Sequence, residues 1–541
     1  MKRKMAYLYV LLVLVLVCSV LFFGCAKNET NQPNNNPLEE ENEPPEEDEP
    51  VPANEPQYGG TLVGIRDRFP SNLGDPGIMI GLDDLFALPY AEMLVTYTED
   101  YALTGVLAES FEQDPENKHI TFNIRKGVRF HDGTPLNAEA VLWNFERRLE
   151  TGNITSAHLI ESLEVIDEYK IRIHAKEFNS LLVQDWGWIN IFSPTAFKEA
   201  GNGDPEKSAE WAQRNAIGTG PFILAEFEHD SYIKYVRNDD YWREGYPYLD
   251  AIEIKYIPNA STAAAMLQAG EADIWLTGTV EEVARLADLG FKANIKSGAL
   301  HYAIHFDSAD PNSPFADKRV REAVEYAIDR EALASMLGQG YYTPLTQMAH
   351  PDAIGYTDGY YPRPYNPDKA KQLLADAGYA DGLATSIILP ETPANRDAAA
   401  AIQGYLRAVG IDLHIDLADG ARYAAAAFAQ GFSGMAIGIS GISPTGTGIL
   451  LHYGPNPQTF RANAFSKSPE FLAYCQEALQ SYEHDKYVEA IRLAYWQASE
   501  DAMAVPLFAT PEFTAMAPHV HSDYPEISSA VWHVYRDWIE Q

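Results

Sequence analysis

GTGPFILAEFEHDSYIKYVRNDDYWREGYPY, residues 218–248, gathers three structural instructions into one stretch. GTGPF reads as a tight, rigid turn at which the chain crosses between layers. Residues 232–237 alternate apolar and polar side chains, the period of a half-buried strand. RNDDYW then sets Asn and Asp ahead of two aromatics that lock a loop onto a core. The stretch reads as scaffold rather than as ligand contact.

The same grammar continues on both sides. Strands are expected at residues 61–65, 119–124, 170–174 and 251–257. Residues 137–149 read as a helix with Asn137 as its N-cap. Residues 261–270 read as a capped helix that stops at its glycine. One long helix is expected over 317–337, shorter ones over 368–377 and 398–409, and two more within 470–500. No internal repeat is visible. Irregular alternation of this kind predicts α/β lobes with mixed sheets. The folded part starts near Tyr58, and its length exceeds what a single core supports, so at least two lobes are expected.

Composition narrows the function. The chain of 541 residues is 46% hydrophobic and 12% aromatic, with a formal charge of -37. An acidic body argues against nucleic acid and against anionic lipid. The first residues carry Lys2, Arg3 and Lys4, followed by YLYVLLVLVLVCSVLFF at 7–23, the layout of a secretion signal. Residues 26–56 hold Pro, Asn and Glu with few aliphatics, a composition that does not fold. As a coil this tether averages on the order of 30 Å. The three cysteines are Cys18, Cys25 and Cys475. The first leaves with the signal, and Cys475 sits at helical spacing as a buried small residue, so no internal disulfide is expected.

Three further stretches join residues 218–248 in order: VRFHDGTPLNAEAVLWNFERRL at 128–149, IPNASTAAAMLQAGEADI ending at 274, and FADKRVREAVEYAIDREALASML at 315–337, followed by YNPDKAKQLLADAGY at 365–379. Together they resemble the family 5 solute-binding proteins of ABC importers, the peptide/nickel group, from about Tyr58 to the C-terminus. The resemblance implies a two-lobed clamp like the periplasmic binding proteins, with the ligand cleft between lobes and a membrane permease as partner. The first lobe would hold residues 58–300 completed by 505–541, and the second 301–504, with hinge strands near 301–306 and 506–508. Gly24-Cys25 resembles the lipobox of bacterial lipoproteins, although Phe22 stands where that family prefers Leu. There the signal is cleaved before the cysteine, which takes the lipid. That would make residues 1–24 the signal peptide and Cys25 the anchor, on the outer side of the cell membrane.

The solute is less legible. In peptide binders of this family a Trp-rich turn in the second lobe carries an Asp for the ligand's amino terminus. The matching stretch is IGISGISPTGTG at 437–448, with Ile442 aligned to that Asp and Pro444 to the proline. The acid and the tryptophan are missing, and an unpaired ammonium in a closed cleft is costly. Asp185, Asp307 and Arg422 are candidates to supply charge instead. Trp186 and Trp188, flanking Gly187, are expected to form a stacking platform, with core packing as the competing reading. Trp275, Tyr302, Tyr341 and Tyr342 are further aromatic candidates. His301 and His305 share one face of a strand, and His519 and His521 form an HxH. These four read as packed or solvated rather than as metal ligands.

No G-x-S-x-G, H-E-x-x-H or Walker loop is present. The expectation is therefore a binder with no catalytic residue and no cofactor. It would be a lipoprotein that captures an oligopeptide or similar organic solute for a permease. A metal-chelate carrier or a lipid-anchored sensor is the alternative.

Overall fold

Two long strands, Lys292–Phe306 and Ala504–Met516, lie antiparallel at the middle of the molecule. Their register shifts twice, between Lys296 and Leu300 and between Tyr302 and Ala303. Such irregularities bend a strand and increase its twist. The computed structural model describes residues 55–79, 81–98, 101–154, 156–441, 445–455, 463–524 and 532–541. The signal segment, Cys25, most of the tether and Ile442 lie outside the described residues.

Among the described residues, eleven strands join one mixed sheet around this pair. On one side follow Ile274–Trp275, Thr61–Arg66, Ala251–Tyr256, Tyr232–Arg237 and Phe222–Glu228. Thr61–Arg66 runs parallel to Ala251–Tyr256, and the last three strands form an antiparallel meander. On the other side come Met435–Gly441, Leu383–Pro390 and Ile411–Ala418, the last two parallel in register from Leu383 opposite Ile411. The short strand Thr343–Pro344 pairs with Ala504–Met516.

This single sheet serves two cores. One is built on Leu62, Phe86, Tyr90, Phe222, Tyr235 and Ile252. The other is built on Phe315, Leu389, Ile402, Leu406 and Ile437. The central pair contributes to both: Met516 belongs to the first core, and Ile304, Phe306 and Val505 to the second. A separate four-stranded antiparallel sheet, in the order Ala108–Asp114, His119–Ile124, Lys170–Ala175, Ile160–Asp167, packs with helix Ala138–Thr151 around Phe122, Phe145 and Trp186. Helices Pro469–Gln480 and His484–Glu500 form a further cluster in which Cys475 is fully buried.

The motifs act as scaffold. Asn137 caps its helix, accepting from the Ala140 amide at 2.9 Å. Gly218 crosses so close to Tyr90 that a Cβ there would sit 2.0 Å from the Tyr90 carbonyl oxygen. Glu92 collects the loops: it accepts from Tyr241 Oη at 2.8 Å, Trp242 Nε1 at 2.7 Å and Thr219 Oγ1 at 3.0 Å. The helix expected over 317–337 is in fact two, Lys318–Ala327 and Arg330–Gly338. Ile328 turns extended between them, and Asp329 caps the second by accepting from the Ala332 amide. A cap residue inside an apolar-periodic run offers the backbone this alternative. No described helix is long and apolar enough to cross a membrane.

The second lobe contains a buried ionic triad. Glu325, 1% exposed, accepts from Arg330 Nη1 at 3.0 Å and from Arg363 Nε at 2.6 Å. Arg363 also donates to the Ser499 carbonyl, tying three segments together. Removing one member leaves buried charge uncompensated. Glu325→Ala is expected to cost about 3–5 kcal/mol in urea denaturation of the second lobe; a loss below about 1 kcal/mol would contradict this account.

Candidate functional site

The short helix Leu181–Gly187 links the two halves of the molecule. At its start, the Ser180 amide donates to the Leu479 carbonyl at 2.7 Å and Ser180 Oγ to the Ala478 carbonyl at 2.9 Å. These are carbonyls from the last turn of helix Pro469–Gln480, where Ala478 also accepts from the amide of the C-cap residue Ser481. Leu181 buries its side chain with Phe471 and Cys475 of the second lobe. The other end of the same helix carries Asp185 and Trp186, with Gly187 and Trp188 closing it.

Residues two apart on a helix point to nearly opposite sides, and this corrects the expectation of a double-tryptophan platform. Trp186 is fully buried, packs edge-on against Phe145 with centroids 4.9 Å apart and donates to Ser156 Oγ at 3.1 Å. It is a core residue of the four-stranded subdomain. Gly187 lies against Val95, where a Cβ would approach Cγ2 to 2.5 Å. Trp188 turns the other way, edge-on to Tyr97 at 5.0 Å, and lines open space.

That space is a cavity of about 460 Å³, walled by Met79, Gly81, Asp84, Arg148, Asn153, Ile154, Asp185 and Trp188 among others. Asp84 accepts from Asn190 Nδ2 at 2.9 Å and lies 3.8 Å from Arg148 Nη2. Arg148 donates through Nη1 to the Met79 and Asn153 carbonyls, each at 3.3 Å. Four buried polar atoms on or behind this wall have no hydrogen-bond partner: Arg148 Nε, Asp185 Oδ2, Trp188 Nε1 and Asn190 Oδ1. Buried polar groups are almost always bonded, and leaving one unbonded costs about 1–3 kcal/mol. Three of these residues, Arg148, Asp185 and Trp188, line the cavity, and Asn190 holds the Asp84 that lines it too.

Burial dominates the electrostatics. It pushes the Asp185 carboxyl up to about 6, against the opposing pull of the Ser156 hydroxyl and His158. It raises Asp84 as well, although Arg148 and Asn190 pull the other way. It also lowers Arg148, which Asp84 and Asp75 partly offset. A second space of about 200 Å³ has Tyr97, Ser180 and Gln184 on one side and Thr445, His484 and Tyr487 on the other. The helix Leu181–Gly187 borders both spaces.

The remaining candidates lie elsewhere. Arg422 forms a two-pronged pair with Asp416 at 2.8 and 2.7 Å on the exposed second-lobe surface, so its charge is already matched. Asp307 accepts from the Gly434 amide at 2.7 Å and from the Ser313 hydroxyl. Tyr302 stacks on Phe508 at 4.8 Å, with Tyr342 on the same ring at 5.2 Å, and burial pushes the Tyr302 phenol up to about 12. Trp275 is 1% exposed in the core, and Tyr341 packs edge-on to Phe513. His305 is buried and bonded to Tyr453 Oη at 2.8 Å, with Phe465 edge-on to its ring. His301 pairs opposite Ser440 on the same strand. His519 bonds Asp273 at 3.0 Å, and His521 bonds Glu540 at 2.9 Å while stacking on Trp538. No described group of three or more His, Cys, Asp or Glu side chains is placed to hold a metal. Asp84, Arg148 and Asn190 were not singled out in the sequence, because nothing in their spacing distinguishes them from surface charge.

Comparison with known proteins agrees with this architecture. Residues 102–459 match the family described as bacterial extracellular solute-binding proteins, family 5 Middle. The glutathione-binding protein GsiB of Salmonella choleraesuis (strain SC-B67) is 31% identical over 310 residues, 57% of this chain and 59% of that protein. Heme-binding protein A of Haemophilus influenzae is 32% identical over 304 residues, 52% of this chain and 54% of that protein. The matches thus span a little over half the length of these relatives. The periplasmic binding protein DppA from Helicobacter pylori, solved with the peptide STSA, superposes with a TM-score of 0.72 at 24% identity, covering 90% of this chain and 99% of that one.

The raised Asp185 carboxyl fixes a sign. The protonated acid is favoured in the folded state, so its contribution to stability is full below about pH 4 and is lost as pH rises through about 6. At neutral pH the buried carboxylate costs roughly 3 kcal/mol. Asp185→Asn is expected to stabilise the empty protein by about 1–3 kcal/mol at pH 7.5 and to leave it nearly unchanged at pH 4. Thermal denaturation at both pH values checks this; destabilisation at pH 7.5 would contradict it.

Proposed function

The chain belongs to the bacterial extracellular solute-binding proteins of family 5, and from that premise we propose that it is the substrate-binding component of an ABC importer. It captures an oligopeptide or an organic solute of similar size outside the cytoplasm and delivers it to a permease without chemical change. The observation that carries this reading is the cavity beside Asp185 and Trp188, whose lining includes Arg148, Asp185 and Trp188, each with a buried polar atom left unbonded. An enzyme site would need a nucleophile or acid–base pair in bonded geometry; a capture site needs unsatisfied polar groups and an apolar face.

The lobes on this reading are residues 58–300 with 505–541, and 301–504. The central strands act as the hinge near 301–306 and 506–508. Residues 1–24 are the signal peptide, and Cys25 carries the lipid. The acidic tether then lets the clamp sample solvent and find its permease, while the body's own charge keeps it off anionic lipid. With no acid at Ile442, Asp185 supplies the negative partner for a cationic group of the solute, and Trp188 gives the face on which its apolar part rests. An ion pair would offset the burial that now disfavours the carboxylate.

Native mass spectrometry of freshly purified protein tests the solute class. A co-purified ladder of peptide-sized organic masses is expected; a nickel-bearing mass, or none, would contradict the reading. With the co-purified solute as probe, Asp185→Asn and Trp188→Ala should each weaken binding at least about tenfold without lowering the melting temperature. Unchanged affinity in both would remove these residues from the site.

A further inference from the structure

Trp188 also borders a different cavity, of about 270 Å³, enclosed by the segment around Tyr97, the loop at 241–243 and the C-terminal residues 532–536. Its distinguishing group is Arg243. The guanidinium lies over the Trp242 ring at 4.3 Å and the Tyr535 ring at 5.2 Å. Among the described residues it makes no hydrogen bond and lies within ion-pair distance of no carboxylate, and its Nε is buried without a partner. Glu92, whose charge it feels, has both oxygens engaged by Tyr241, Trp242 and Thr219.

Stacking on aromatic faces fixes the plane of a guanidinium and leaves its N–H edge outward, the arrangement that receives a carboxylate through two parallel bonds. Arg536 lies over Tyr535 as well, at 5.5 Å, adding positive charge at the rim. Glu92 lines the same cavity and feels the Arg243 charge, but its oxygens are held by Tyr241, Trp242 and Thr219 rather than by the guanidinium. Asn190, 0% exposed, lines the same space with an unbonded Oδ1, and Trp188 Nε1 is unbonded too. The volume falls a little below the roughly 300–1,000 Å³ usual for small-molecule pockets, so the occupant is compact.

We infer that this cavity binds a small organic carboxylate with an apolar or aromatic body, its carboxylate on Arg243 and its body against Tyr97 and Tyr535, in a cavity that shares Trp188 with the one beside Asp185 but has its own charged group. The inference stands on Arg243 and its cavity and does not depend on the transported solute or on lobe closure.

Phenylacetate is a suitable probe, with phenylacetamide as the neutral control of the same shape. Calorimetric titration of the full chain should show phenylacetate binding at least about tenfold tighter than phenylacetamide. Arg243→Gln should abolish that difference, and Arg243→Lys, which keeps the charge and loses the fork, should retain only part of it. Crystals grown with phenylacetate should place its carboxylate on Arg243. If Arg243→Gln does not fold, the comparison of the two probes on the unaltered chain and the crystal still decide. Equal affinity for the two probes, no binding of either, an unaltered preference in Arg243→Gln, or phenylacetate seated against Asp185 would each overturn the inference. None of these results touches the identity of the co-purified solute, so the two readings fail separately.

Discussion

The structure depends on one constraint: a continuous hydrogen-bonded sheet that has to serve two separate hydrophobic cores. Lys292–Phe306 and Ala504–Met516 are paired along most of their length, so the lobes cannot part without breaking backbone bonds or bending those strands. Bending is cheaper, because the ladder stays intact while twist is redistributed at the two register shifts. Each core is closed on its own, one around Tyr90 and Tyr235 and the other around Phe306 and Ile402, so neither has to open for the angle between them to change. That arrangement is compatible with the hinge proposed near 301–306 and 506–508.

The energetics of the cavity complement this mechanics. Arg148 Nε, Asp185 Oδ2, Trp188 Nε1 and Asn190 Oδ1 are buried and unbonded, and a folded chain gains nothing from leaving them so. On the proposed reading, a guest that bonds those lining the cavity would recover part of the loss. The helix Leu181–Gly187 touches both regions: Ser180 and Leu181 at its start contact the helix Pro469–Gln480, while Asp185 at its end lines the cavity. On the proposed reading, binding and the relative position of the lobes share this one element.

Much of the scaffold could be read from residues alone. Asn137 is a cap in the structure, and the glycine turn at 218–220 and the aromatic pair Tyr241–Trp242 anchor loops because their chemistry allows little else. The site was legible only in part. The tryptophans flanking Gly187 mark this stretch in the sequence and Asp185 is one of three candidate charges, yet helical geometry sends Trp186 into the core. Whether 185–188 was helical could not be fixed from so short an apolar run. Asp84, Arg148 and Asn190 come from segments far apart in sequence, and only tertiary packing brings them to one wall. The break at Ile328 escaped for a related reason: Asp329 reads equally well as a helix surface residue and as a cap until its amide partner is known.

The proposed reading requires that two bodies joined by the paired strands change their angle when a guest fills the cavity beside Asp185, the helix Leu181–Gly187 carrying the effect to the carbonyls at 478–479 that its start grips. Small-angle scattering of the protein stripped of its co-purified solute, then reloaded with it, measures this most directly. The account predicts a larger radius of gyration when stripped and a return to the compact value on reloading, with the profile of two rigid bodies throughout. Identical profiles in both states would contradict it.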